Sequence, residues 1–224
     1  GIEAALASSR MGESTLLITQ TLDTIARLSC NPSIGGVAKG TIVREIDALG
    51  GQMALLADAS MIQYRLLNKS RGAAVRSPRV QVDKTLYSSL AKQCVECEEK
   101  LHTFQDTVKD IITSSKEDRL VISGVVTERG RTFSARSVVL CSGTFLEGKI
   151  YIGEYSAPDG RLGERAATGL GEALVAKGFE ASRLKTGTPM RVLKSSVDFS
   201  QMEEQEADVI MSPFSFKNRE IHRP

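Results

Sequence analysis

Apolar and polar positions alternate between two periods along this chain. Residues 1–12, Gly-Ile-Glu-Ala-Ala-Leu-Ala-Ser-Ser-Arg-Met-Gly, have helical spacing and stop at a glycine, and Ser14–Thr19 follows as a short apolar strand. Helix, glycine and strand in that order are the second half of a βαβ unit. The first strand is therefore expected before residue 1. With no closing element near 221–224, the chain is expected to be a fragment of a longer one. Apolar residues at 42, 43, 46 and 49 predict a helix over 41–49, ended by Gly50-Gly51. The stretch 52–68 reads as largely helical. Ser77-Pro78 resembles an N-cap with proline at the first helical position, predicting a helix to about Glu99.

Beyond residue 100 the pattern turns to strands. Runs at 101–104, 107–112, 119–126 and 132–135, with turn signals at 116–118 and Gly130, read as an antiparallel meander. Ser137–Cys141 is an apolar run delivering Ser142-Gly143, the pattern of a buried parallel strand that ends at a ligand. Residues 145–185 are glycine-rich. Within them 160–165 reads as a ligand-facing loop and a helix ends near Lys177-Gly178. From Val192 the chain is polar and weakly periodic, and 198–224 receives no assignment.

Composition narrows the class without naming a function. The 224 residues are 41% hydrophobic and 25% charged, with a formal net charge of +2, which does not by itself demand a nucleic-acid partner. No apolar run reaches membrane-spanning length and no signal pattern opens the chain. Four cysteines do not make a disulfide framework, so the cytoplasm is the expected compartment.

Candidate chemistry concentrates in residues 30–40, Cys-Asn-Pro-Ser-Ile-Gly-Gly-Val-Ala-Lys-Gly. Pro32 stiffens the turn, and Gly35 and Gly36 permit close backbone approach. Lys39 adds a charge, and Cys30 stands at the edge as a possible nucleophile. A glycine-rich turn beside a buried cysteine is the plainer alternative. Lys69, Arg71, Arg76 and Arg79 form a basic cluster that suits either solvent or phosphate. Cys94-Val-Glu-Cys97 invites a zinc or redox reading. No second pair has the spacing for a metal, and the adjacent glutamates disfavour an active dithiol. Helix packing is the expectation there, with no metal ligands. Arg183, Lys185 and Arg191 surround a rigid Thr-Gly-Thr-Pro turn.

The order of elements fits a Rossmann-like α/β FAD-binding domain of the two-dinucleotide-binding flavoprotein type. Such a fold has an antiparallel β-meander; here its first strand would be missing. Four blocks then carry a specific resemblance: Leu28–Gly36, Glu45–Gly51, Gly143–Lys149 and Arg183–Pro189. In this order they are similar to the GidA/MnmG family of FAD-dependent enzymes. Members install the carboxymethylaminomethyl group on the wobble uridine of certain tRNAs.

The resemblance implies an FAD-binding domain over 1–190 and the start of an inserted domain over 191–224. It implies FAD contacts at Gly1, Val108 and Ala167 and a functional cysteine at Cys30. Gly35, Gly36 and Gly143, read above as ligand-facing, become FAD candidates, and Arg183, Lys185 and Arg191 are candidates for phosphate contacts to tRNA or to FAD. It further implies NADH as reductant, methylene-tetrahydrofolate as one-carbon donor, an MnmE-type GTPase partner and a homodimer. One departure stands out. The strand at 14–19 ends in Thr19-Gln20 where flavoproteins usually place an acid for the adenosine ribose. The nearest rival is a folate/FAD-dependent tRNA uridine methyltransferase, which lacks the block at 30–36. A non-catalytic tRNA- or GTPase-binding module is the rival from another class.

Overall fold

The computed structural model describes residues 1–117 and 119–221. Asp118, in the turn expected at 116–118, and the last three residues of the 191–224 stretch lie outside the described residues. The helices are α1 (Ile2–Arg10), α2 (Val37–Ala48), α3 (Met53–Ala59), α4 (Lys84–Glu96) and α5 (Leu170–Ala176). The first strands are β1 (Thr15–Thr19), β2 (Ser33–Gly35), β3 (Met61–Leu67), β4 (Ser77–Val82) and β5 (Leu101–Gln105). The meander strands are β6 (Val108–Lys116), β7 (Arg119–Thr127) and β8 (Thr132–Ser134). Four short strands follow, β9 (Ile150–Ile152), β10 (Tyr155–Ala157), β11 (Asp159–Arg161) and β12 (Glu164–Arg165). The chain forms two compact units, one of residues 1–25 and 98–184, the other of 26–97 and 185–224.

In the first unit α1 buries Ala5, Leu6 and Ser9 along one face. It ends where Gly12 adopts φ +97° and donates its N–H to Ser9 O at 2.8 Å. β1 pairs with β5 in parallel, Thr15 opposite Leu101 and Thr19 opposite Gln105. A parallel pair needs a long crossover, and here that crossover is the whole stretch between the two strands. β6, β7 and β8 form the expected three-stranded antiparallel meander. Gly124 is required in β7, because a Cβ there would lie 2.3 Å from Phe133 O. Lys177, just past α5, donates to Asp110 of β6 at 2.6 Å, tying the helix to the meander.

The second unit is built on the sheet β2-β4-β3, antiparallel throughout, with β4 in the centre. Val80 and Val82 alternate into its core, and Val80 stands opposite both Ile34 and Tyr64. α4 is capped by Asp83, which accepts from Thr85 N at 2.8 Å and Leu86 N at 3.0 Å.

Several elements differ from expectation. Ser77-Pro78 does not start a helix but opens β4. The alternation of Val80 and Val82 outweighs the N-cap pattern, and Asp83 caps instead. Proline is tolerated there because it sits at the strand's start. The stretch 52–68 divides into α3 and β3 rather than continuing as helix. Residues 160–165 lie in the hairpin β11–β12, pinned by the Arg161–Glu164 ion pair. Ser137–Cys141 is neither strand nor buried, and Val139 is 71% exposed. Among the described residues no strand pairs with it, and a parallel strand is buried only when neighbours flank it.

The two compact units divide the chain at 25–26, 97–98 and 184–185. Residues 26–97 pack with the C-terminal stretch, and the reason is two buried carboxylates. Asp58 accepts from Phe214 N (2.6 Å), Ser215 N (3.0 Å) and Asn218 Nδ2 (2.7 Å). Asp47 accepts from Ser215 Oγ and Phe216 N, both at 2.7 Å. Phe214, fully buried, completes the anchor.

Candidate functional site

In the second unit the loop carrying Cys30 runs into β2, and Pro32 O accepts from Val82 N at 2.7 Å, fixing the loop to the central strand. Cys30 is a free thiol and half-buried. Three cations reach the backbone of this loop. Lys84 donates to Cys30 O at 3.0 Å, Lys39 to Ser33 O at 3.2 Å, and Arg191 to Ser29 O at 3.3 Å. Their carbonyl partners are neutral, and burial holds the Lys39 ammonium below its ordinary pKa. A nucleophile-bearing loop ringed by cations attracts an anionic substrate.

Sequence reading placed Lys39 beside Cys30 and set Arg191 among the nucleic-acid candidates. It missed Lys84, whose role depends on where α4 begins, and that start was misplaced. Lys185, in the same unit, is exposed and lies in irregular backbone.

Gly35 and Gly36 have a packing reason for being glycine. Gly35 has φ +101°, and a Cβ there would stand 2.1 Å from Pro78 O and 3.0 Å from the Phe214 ring. Gly36 has φ +109° and donates its N–H to Pro78 O at 3.1 Å, while its own carbonyl accepts from Ser77 Oγ at 2.7 Å. Its Cα face is open, with nothing within 4 Å of a built Cβ. The amide of Gly36 is thus engaged, and only this open face is left for a ligand. Beside this turn an open cleft of about 490 Å³ is lined by Gly40, Arg44, Arg76, Ser77, Pro78 and Phe216. Arg44 lies 5.0 Å from the Phe216 ring centre and 5.7 Å from that of Phe214.

The first unit holds Gly1, Val108, Gly143, Ala167 and Arg183. Gly1 is the N-cap of α1, and no side chain caps the first-turn amides. A Cβ on Gly1 would stand 3.7 Å from Cys141 Cβ and 3.9 Å from Leu17 Cδ1, which places the helix start against β1 and the 137–141 run. Gly143, just past that run, has φ +56° and open space around it. Val108 opens β6 one turn after the end of β5. The carboxyl ends of β1 and β5 and the amino end of α1 are the elements that a nucleotide-binding crevice uses.

Ala167 is buried and pairs with the Phe145–Glu147 backbone. Its N–H donates to Phe145 O at 2.8 Å and its carbonyl accepts from Glu147 N at 2.9 Å. Glu147 itself was not singled out from the sequence. It has φ +46°, and its Oε1 accepts from Gly169 N at 2.8 Å and Gly171 N at 3.1 Å, which caps α5 from a distance. Arg183 donates to Glu147 O at 3.0 Å and lines a cleft of about 380 Å³ with Lys149, Ser156 and Thr168. No local pattern predicts a cap contributed from 22 residues away.

The family model described as "Glucose inhibited division protein A" matches residues 1–224. The chain is 71% identical, over its full length, to the tRNA uridine 5-carboxymethylaminomethyl modification enzyme MnmG of Treponema denticola, and 57% identical to that of Borreliella burgdorferi. It spans 36% of the length of each of these relatives. Among solved structures, Aquifex aeolicus GidA superposes with a TM-score of 0.90 at 45% identity, covering 97% of this chain and 36% of that one. The GidA-related protein from Thermus thermophilus superposes with a TM-score of 0.55 at 23% identity over 80% of this chain and 64% of that one, a likeness of fold. With the family model matched from the first residue to the last, this chain belongs to the glucose inhibited division protein A (GidA) family.

Proposed function

We propose that this chain is the cofactor-binding part of an FAD-dependent enzyme that adds the carboxymethylaminomethyl group to C5 of the wobble uridine of certain tRNAs. The observation that carries this reading is the 71% identity, without a gap in coverage of this chain, to a relative named for that modification. The fold reading is the two-dinucleotide-binding flavoprotein type, with 1–190 serving FAD and 191–224 opening an inserted domain.

The residues present fit FAD. The uncapped amino end of α1 at Gly1 would face the pyrophosphate, and the open glycine at 143 would allow backbone approach. Val108, at the β5–β6 corner, would hold the adenine, with Ala167 as a further contact in the same unit, while Gly35 and Gly36 remain cofactor candidates on the resemblance alone. When bound, the flavin supplies two-electron redox chemistry.

Cys30 would act on the base. Addition of its thiolate to C6 of the uracil opens the C5–C6 double bond and makes C5 nucleophilic toward a one-carbon unit. Loss of the C5 proton and expulsion of the thiolate then restore the ring, and the amine of glycine displaces tetrahydrofolate from the transferred carbon to complete the group. Lys39, Lys84 and Arg191 would draw the tRNA backbone toward that loop, with Arg183 and Lys185 as further phosphate contacts. NADH as reductant, methylene-tetrahydrofolate as donor, an MnmE-type GTPase partner, a homodimer and a cytoplasmic setting complete the proposal.

The test uses the full-length protein. Bound flavin should be visible by absorbance, and incubation with the complete reaction mixture should modify the wobble uridine. Cys30→Ala should keep the flavin and lose the modification. Modification at the wild-type rate by Cys30→Ala would remove Cys30 from the mechanism. A protein that takes up no flavin under any loading condition would be a tRNA- or GTPase-binding module instead. If the product carried a C5 methyl group, the enzyme would be the methyltransferase of the rival reading.

A further inference from the structure

A strand that follows the dinucleotide-binding helix usually ends in an aspartate or glutamate that accepts from the adenosine ribose hydroxyls. Here β1 ends at Thr19, and Gln20 and Thr21 follow. The parallel register sets Thr19 opposite Gln105, so the ends of β1 and β5 lie side by side, and Asp106 N donates to Thr19 O at 2.9 Å, closing that edge.

The nearby polar groups can be sorted by what they already hold. Asp106 is buried, hydrogen-bonded through one oxygen and ion-paired through the other, which accepts no hydrogen bond from the described residues. Its Oδ1 accepts from Thr107 N at 2.8 Å, and Arg129 Nε stands 3.0 Å from Oδ2. Gln105 Oε1 accepts from Leu22 N at 3.5 Å. Asp23 sits in the short 3₁₀ turn Leu22–Thr24 and has an interaction of its own within the protein. Gln20 is half-buried, directly follows the strand, and its amide makes no hydrogen bond to another described residue.

We propose that Gln20 takes the place of the missing acid, with its side-chain amide binding the vicinal hydroxyls of the adenosine ribose. This rests on the FAD reading above. A carboxylate can only accept from both hydroxyls, whereas an amide accepts from one through Oε1 and donates to the oxygen of the other through Nε2. Both hydroxyls remain satisfied, and the site carries no charge at this point. Affinity for FAD then does not follow the titration of an acid at position 20, and the titratable groups left beside it are Asp23 and the Asp106–Arg129 pair.

The test measures FAD binding to full-length apoprotein, by quenching of flavin fluorescence, beside the 2′-deoxyadenosine and 3′-deoxyadenosine analogues of FAD. Wild type should bind FAD about tenfold more tightly than the weaker analogue, the size of one net hydrogen bond. Gln20→Ala should bind FAD about tenfold more weakly and lose the preference for the hydroxyl. Gln20→Glu should keep the preference and acquire a dependence on pH near the carboxylate range. Asp23→Asn should behave as wild type. A preference that survives in Gln20→Ala, or disappears in Asp23→Asn, overturns the assignment, as does a wild type that binds FAD and its analogues equally. A wild type that binds none of them fails the FAD reading itself, which is a different result.

Discussion

Two aspartates show how much of this structure rests on single side chains. Asp58 receives three hydrogen bonds and Asp47 two, all from the 214–218 segment. Removing either carboxylate leaves buried N–H groups without partners, at a cost of about 1–3 kcal/mol for each group left unmet. Asp58→Ala is expected to destabilise more than Asp47→Ala, because it orphans two backbone amides rather than one. Urea unfolding gives the two losses, and protease cleavage within 185–221 should accelerate in both variants. Equal stability of Asp58→Ala and wild type would mean that the segment is held by other contacts. The glycine pair offers a second comparison. Gly36→Ala meets only an unfavourable backbone conformation, of order 1–3 kcal/mol. Gly35→Ala meets that penalty and a clash with Pro78 O besides, so it should lower the unfolding midpoint further. If Gly35→Ala proved the milder change, close packing of β2 on β4 would not be the reason for that glycine.

Short elements depend on partners that lie far away in sequence, and α5 is the clearest case. Seven residues are too few for a helix to persist alone. Glu147 caps its amino end, and at its other end Lys177 binds Asp110 of β6. The Lys177 ammonium, with smaller help from Ile111 N and Lys109, holds the Asp110 carboxyl below its usual range. A lowered folded pKa contributes stability that is full above the unfolded value of about 3.9 and is lost as pH falls through the folded one. Asp110 is partly exposed, so the effect is modest. At pH 7 wild type should unfold at a higher urea concentration than Asp110→Asn, and that lead should narrow steadily as pH falls below the unfolded value of about 3.9. A lead of the same size above and below that value would remove the ion pair as its cause. These dependencies also mark how far the sequence could be read. Helices α1 and α2, the strand β1 and the meander follow from local periodicity and glycine stops, and all were legible. β4 was not, since Ser77-Pro78 is an equally good helix start until Val80 and Val82 find Ile34 and Tyr64 across the sheet. Ser137–Cys141 has the composition of a core strand, but burial is a property of its neighbours and not of the run itself.

Each of the two units has its own core, and the chain crosses between them three times. In the first, Leu6, Leu101, Ile111, Val125 and Leu170 are buried. In the second, Ile34, Val43, Val80, Val82, Val95 and Phe214 are buried. Phe214 had no pattern to announce it, because it sits in a polar stretch where a single aromatic residue carries no period. Its position became meaningful only once Asp47 and Asp58 were seen to hold the backbone around it. That makes Phe214→Ala a test of the division itself. Loss of a fully buried phenyl ring costs about 3–5 kcal/mol. The loss should fall on the unit that contains it, so amide hydrogen exchange should accelerate in α2, α3 and β4. Exchange in β6 and β7 should stay at the wild-type rate, since none of their buried residues belongs to that core. Acceleration of equal size in β6 and β7 would mean that the two cores unfold as one cooperative body. Protection unchanged everywhere would mean that the 213–216 segment is an accessory to the second core rather than part of it.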